Sequence, residues 1–195
     1  MKGDRQMKYA VLILMFLAAS ASLSGTYAAQ IVWENFEGDN YWEPVDWENT
    51  GQVNISISDA NASEGKQSLE VIIREEATDW KNKVAFYREE ELDLSNANIV
   101  MDVYSEKAAA IELAVGFRTG EKWAYYESNK KPVDQGWNKD ITFDLGANDF
   151  KSKTTDWKYM VPLADRDSVK EIYVLVYRPV KMIQDIIYID NIRLK

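Results

Sequence analysis

The chain has no histidine and no cysteine, yet it carries seven tryptophans and eleven tyrosines. Those counts decide which chemistry is open to it. Without an imidazole there is no Ser-His-Asp triad, no histidine general base and no His-ligated metal. Without a thiol there is no thiolate nucleophile, zinc ribbon or disulfide framework. An enzyme made of these residues would have to work with carboxylates, Lys or Tyr. The acidic runs Glu75-Glu76 and Glu89-Glu90-Glu91 are the first places to test for it. Glycosidic cleavage needs two carboxylates roughly 5–10 Å apart across a cleft. Neighbours in a strand point to opposite faces, so a run is not a pair and reads as a solvated edge. A protein that is not an enzyme is expected.

Aromatic rings offer a different chemistry. A sugar ring has apolar C–H faces and a polar rim, so it lies flat on an indole while its hydroxyls find hydrogen bonds. Seven tryptophans exceed what one core of this size needs, and several sit among polar neighbours. Trp80 lies in Ala77-Thr78-Asp79-Trp80-Lys81-Asn82-Lys83, where hydrophobic periodicity is absent. Trp123 follows the turn Gly120-Glu121-Lys122 and is expected to share a strand face with Tyr125. Trp42, Trp80 and Trp123 are therefore the candidate platform, with Tyr125 beside it; ordinary packing is the alternative for any one of them. Arg118 and Glu112 face away from the core in the adjoining strand and are the candidate hydrogen-bonding groups.

The elements that must hold these groups read as short strands. Leu69, Val71 and Ile73 share one face by the two-residue period. Ile111, Leu113, Val115 and Phe117 do the same, leaving Glu112, Ala114, Gly116 and Arg118 on the other side. Further strands are expected at 84–87, 98–104, 123–126, 141–145, 171–177 and 186–194, and a helical turn at 163–169. Turns at 63–66, 93–96, 118–121 and 134–136 separate them. Many short strands at this spacing predict an all-β sandwich or barrel in one domain, not βαβ units.

The N-terminus reads as an export signal. Lys2, Arg5 and Lys8 precede the apolar run 11–19 (VLILMFLAA), and small residues follow to Ala28 and Ala29. That run is too short to span a hydrocarbon core of about 30 Å as a helix, although an uncleaved anchor is the alternative. Residues 1–28 are read as a signal peptide and 29–195 as the mature, secreted domain. Cleavage removes three cations and one acid, taking the net charge from −9 to −11. Such a field repels phosphate backbones and anionic lipid, so nucleic acid and membrane are not expected as partners, whereas a neutral polymer is not penalised.

An ordered set of short segments runs through residues 31–195: Phe36-Glu37-Gly38 in the first strand, Trp42, then Gly65-Lys66-Gln67-Ser68-Leu69. Asp93-Leu94-Ser95, the stretch 100–104 (VMDVY), Gly136-Trp137-Asn138 and a closing Tyr188-Ile189-Asp190-Asn191 follow. In this order the chain resembles carbohydrate-binding modules with the galactose-binding-like jelly-roll fold, particularly those binding mannan or β-glucan. The resemblance implies a jelly-roll β-sandwich of two antiparallel sheets and non-catalytic binding of a plant or microbial polysaccharide. It implies Trp137 as a packing residue. It also implies a structural Ca²⁺ on Glu37, Gly65, Ser68 and Asp190, an ion that takes about six to eight oxygens. The alternative is that Glu37 caps a turn and Asp190 faces solvent. Family members usually accompany a glycoside hydrolase on one polypeptide; here that enzyme would be a separate partner. A jelly-roll glycoside hydrolase or polysaccharide lyase, or a surface adhesion module, are the competing readings.

Overall fold

The computed structural model describes residues 30–47, 49–74, 81–107, 111–178 and 184–195. The signal segment, Glu75-Glu76 and Trp80 lie outside them. The strands are β1 (Ile31–Glu34), β2 (Glu43–Pro44), β3 (Val53–Ser58), β4 (Ser68–Arg74), β5 (Lys83–Leu92) and β6 (Ile99–Ser105). The second half adds β7 (Ile111–Thr119), β8 (Ala124–Ser128), β9 (Lys131–Val133), β10 (Gly136–Phe143), β11 (Phe150–Ser152), β12 (Val169–Tyr177) and β13 (Gln184–Leu194).

They form two antiparallel sheets. One runs β10-β6-β13-β4-β3, with β1 added to β13; the other runs β11-β8-β7-β12-β5-β2, with β9 added to β7. After the β3–β4 hairpin the chain passes back and forth between the sheets, as a jelly-roll sandwich requires. The period-two pattern decides what lies between them. Leu69, Val71, Ile73, Met101, Val103, Ile187 and Ile189 descend from the first sheet. They meet Val84, Phe86, Leu113, Val115, Phe117, Val174 and Val176 from the second. Each such side chain contributes about 1.5–3 kcal/mol on burial.

Several boundaries differ from the sequence reading. The first strand ends at Glu34, and Phe36 turns the chain with a φ of 57°, so Glu37 lies in the following loop. The strand expected at 141–145 begins earlier, at Gly136. Trp137 is thereby drawn out of the core onto the outer face of the first sheet. There it pairs with Tyr104, ring centroids 5.4 Å apart. The helical turn appears as a short 3-10 helix at Arg166–Ser168. The run Glu89-Glu90-Glu91 sits in β5; Glu89 is exposed, Glu90 pairs with Arg88 at 2.7 Å and Glu91 with Lys170 at 2.6 Å.

Candidate functional site

The inward half of each strand of the second sheet makes core, so its outward half is free to make a site. Register lines these outward residues up. One row runs Glu43, Tyr87, Tyr173, Gly116, Glu127, Lys151 across six strands. The next runs Glu89, Glu171, Arg118, Tyr125, and a third runs Lys83, Tyr177, Glu112. Gly116 matters because it has no side chain. A Cβ there would come within 2.9 Å of Tyr125 Oη and 3.2 Å of Tyr173 Cβ, so its absence lets the Tyr125 ring cross the sheet.

Two loops complete an aromatic band. After β2, Val45 N–H donates to Ala85 O (2.9 Å), and a turn in which Thr50 N–H donates to Trp47 O (2.9 Å) swings Trp47 over the sheet. Trp47 lies 5.4 Å from Tyr125, nearly perpendicular at 88°, and 5.1 Å from Tyr173. Tyr173 stacks on Tyr87 at 5.5 Å. On the other side, the loop after β11 presents Trp157, 6.3 Å from Tyr125. Asp156 and Trp157 both hold left-handed backbone, φ 54° and 59°, which costs on the order of 1 kcal/mol or more each for non-glycine residues. Thr155 Oγ1 over-determines that loop, accepting Ser152 N–H at 3.0 Å and lying 2.8 Å from Lys158 O; Trp157 N–H donates to Ser152 O at 3.0 Å. Trp157 is thus held out while 52% exposed.

These residues enclose an open cleft of about 840 Å³, lined by Asp46, Trp47, Asn49, Lys83, Arg118, Tyr125, Glu127, Lys151 and Trp157. A second hollow of about 340 Å³ shares Asp46 and Trp47 with it and is lined also by Tyr87, Glu171 and Tyr173. Such volumes suit a ligand made of several rings.

Glu127 is the buried anion at the cleft floor. It accepts hydrogen bonds from Tyr177 and Tyr125 (3.3 Å) and pairs with Lys151 at 2.7 Å. Burial, then the Glu127 charge, pushes the Tyr125 and Tyr177 hydroxyls well above their ordinary range, so they stay protonated donors. Burial tends to lower the Lys151 pKa, but its hydrogen bond and charge contact with Glu127 outweigh this and raise it. Arg118 pairs with Glu171 at 2.9 Å and donates to Tyr173 Oη at 3.0 Å.

Of the residues singled out from sequence, Tyr125 and Arg118 line this cleft. Glu112 is on the same face but is paired with Lys130. Trp42 is a correction: it is 3% exposed between the sheets, edge-on to Trp33 at 6.0 Å and Phe86 at 5.7 Å, and cannot belong to a platform. Trp123 is exposed but sits in the β7–β8 turn with a φ of 52°, off the Tyr125 face and outside the cleft lining. Trp47, Trp157, Tyr87, Tyr173, Tyr177, Lys83, Glu127 and Lys151 were missed. The tyrosines of β12 were findable, since Tyr173 and Tyr177 fall on the face opposite Ile172, Val174 and Val176. The two loop tryptophans carry no periodic signal.

Glu37 and Asp190 converge on the turn at 63–67 from opposite ends of the chain. Glu37 Oε1 accepts the N–H groups of Lys66 (2.6 Å) and Gln67 (2.8 Å). It lies so close to Gly65 that a Cβ there would be 2.3 Å away; Gly65 also holds a φ of 64°. Asp190 is fully buried, not solvent-facing, and accepts Ser63 N–H (2.6 Å) and Glu64 N–H (3.0 Å). Burial raises its carboxyl pKa above the ordinary value against those bonds. Ser68 donates to Asn61 O at 2.5 Å. The donor set suits a hard cation. Among the described residues Asn191 Oδ1 is buried with no hydrogen-bond partner, and Asp190 has no cation within ion-pair distance. No three acidic side chains among the described residues gather as a metal site, so main-chain and amide oxygens would have to complete it.

No protein-family model matches the sequence, and no curated protein matches it. Solved structures do match the fold. The family 11 carbohydrate-binding module of a cellulosomal cellulase of Clostridium thermocellum aligns with a TM-score of 0.59 at 15% identity, over 85% of this chain and 94% of that one. The family 11 module of the same organism in complex with a β-1,3-1,4-mixed-linked tetrasaccharide gives 0.61 at 16%, over 85% and 94%. A family 28 module specific for non-crystalline cellulose gives 0.59 at 10%, over 85% and 93%. At these identities the likeness is one of fold: the chain shares the β-sandwich of carbohydrate-binding modules.

Proposed function

We propose that the protein is a non-catalytic carbohydrate-binding module that lays a polysaccharide chain of β-glucan or mannan type along the outer face of its second sheet. The observation that carries this reading is the band Trp157–Tyr125–Trp47–Tyr173–Tyr87, which borders two hollows that share Asp46 and Trp47. A sugar stacked on one ring removes about 50–80 Å² of apolar surface from water, a gain of roughly 1–2 kcal/mol. Three such contacts with edge hydrogen bonds, less ordering costs, give a Kd between about millimolar and micromolar. The likeness to modules described with a mixed-linked tetrasaccharide and with cellulose supports the ligand class.

The acids of the face argue against cleavage. Glu127, Glu171 and Glu112 are each paired with a cation, and Glu43, Asp46 and Glu89 are exposed to solvent. None is the isolated, desolvated carboxyl that a proton donor to a glycosidic oxygen has to be. The reading includes export on the N-terminal segment and service to a glycoside hydrolase on another chain. It also includes a calcium ion held by Glu37, Asp190, Ser68 and oxygens of the Gly65 turn. Its role would be structural, joining the start of the chain to β13.

The test is depletion from solution by insoluble mannan, xylan and cellulose, with reducing sugar and unsaturated product measured in the same tubes. Depletion without product supports the reading; product release supports the enzymatic alternative; neither would leave an adhesion role.

A further inference from the structure

The cleft holds one half-buried cation that no ion pair matches among the described residues. Lys151 and Arg118 are committed to Glu127 and Glu171. The Lys83 ammonium lines the same cleft, half-buried, and makes no hydrogen bond or ion pair among the described residues. Its contact is with the Tyr177 ring, 5.8 Å from ammonium to centroid. The ammonium of Lys130 sits 4.9 Å from the same ring, already paired with Glu112. The fixed charges around Lys83 are thus Glu112 of β7, Glu127 of β8, Lys130 of the β8–β9 loop and Lys151 of β11, and each of these has a partner. Burial, the largest influence, lowers the Lys83 pKa and the Lys151 charge adds to this, while the charge of Glu127, itself engaged by Lys151, opposes it.

A partly desolvated cation without an acceptor is costly unless a ligand supplies one. Of the other charges that line the cleft, Lys151 and Arg118 are each paired with an acid, Glu127 and Glu171, and Asp46 is exposed, which leaves Lys83 as the half-buried cation open to a ligand in a chain of net charge −9. The repulsive field of the remaining surface is screened beyond about 8–10 Å in physiological salt, so the local charge governs.

We propose that the polysaccharide recognised in this cleft carries carboxylate groups, as a glycan with uronic acid residues does, and that Lys83 is the residue that selects them. The inference rests on the cleft being a polysaccharide site and adds the charge of its ligand. Backbone sugars lie on Trp157 and Tyr125, and a carboxylate reaches the ammonium beside Tyr177.

The experiment uses the mature protein and two backbones, mixed-linkage β-glucan and glucomannan. Each is used as the neutral polymer and after oxidation of its C6 hydroxymethyl groups to carboxylates. Affinity is read by gel retardation and titration calorimetry. The expected result is tighter binding of the oxidised form by about tenfold or more, the worth of one hydrogen bond to a charged group. Lys83→Gln should bring the oxidised-to-neutral ratio close to one, and Lys83→Arg should keep it well above one. A ratio of one or less for the unaltered protein overturns the inference, as does a preference that survives Lys83→Gln in a variant with a normal melting curve. Failure to bind either form of either backbone overturns the polysaccharide reading itself, and the inference with it.

Discussion

Trp42→Ala distinguishes core from platform most sharply. The indole is 3% exposed and packs edge-on against Trp33 and Phe86 between the sheets. Truncation of a large buried aromatic removes its transfer energy and leaves a cavity, about 3–5 kcal/mol in total. For a domain of this size each kcal/mol lowers Tm by about 2–4 °C, so a fall of roughly 6–20 °C is expected. Trp42→Phe should cost far less. It keeps a ring against Phe86 and deletes a buried indole N–H that has no hydrogen-bond partner among the described residues. Losing that orphan recovers part of its desolvation penalty of about 1–3 kcal/mol. Calorimetric melting of the three proteins, with glycan retardation run on each below its transition, separates the roles. A Trp42→Ala protein that melts like the parent but no longer binds polysaccharide would refute the assignment.

Gly116→Ala should weaken binding several-fold with a modest loss of Tm, because the new methyl displaces the Tyr125 ring from a 2.9 Å contact; titration against a bound glycan checks it. Calcium should raise Tm and EDTA lower it, and Glu37→Ala and Asp190→Ala should each abolish the response; an unmoved Tm would count against the ion. Asp93 accepts Ser95 N–H at 2.9 Å, and the hydrogen bonds from Ser95 lower its pKa from 3.8. A lowered carboxyl stabilises the fold above the unfolded value and loses that contribution as pH falls through the folded one. The Tm difference between the parent and Asp93→Ala should accordingly be present at pH 6 and vanish at or below the folded-state pKa, under 3.8.

Much of the sandwich was readable because one physical signal dominated. Strand β4 buries one face, so its alternation survives as a period of two; in β7 the large apolar residues still alternate with small or charged ones, and Arg118 and Glu112 were correctly turned away from the core. The site was less readable because it forms where that signal fails. In β12 both faces are apolar, core on one side and Tyr173, Leu175 and Tyr177 on the other, so hydropathy does not mark the outer face and only the spacing of its tyrosines does. Trp123 was placed on the face of Tyr125 by counting back two residues, but a left-handed residue in the turn breaks the count. Trp42 has polar sequence neighbours yet is buried, packed edge-on against Trp33 and Phe86. Trp47 and Trp157 owe their positions to a Thr50 turn and to the Ser152–Thr155 hydrogen bonds, which spacing does not reveal.

The most direct test of the central claim is affinity electrophoresis of the parent, Trp157→Ala and Trp123→Ala proteins through gels containing the best-depleting polysaccharide. Both tryptophans are exposed, so both variants should keep a Tm within a few degrees of the parent. Loss of one stacked ring should weaken the Trp157→Ala complex about 5- to 30-fold, from roughly 1–2 kcal/mol, while Trp123→Ala migrates like the parent. Retardation that is lost in Trp123→Ala and retained in Trp157→Ala would contradict the account, because the polysaccharide would then lie on the β7–β8 turn and not in the cleft.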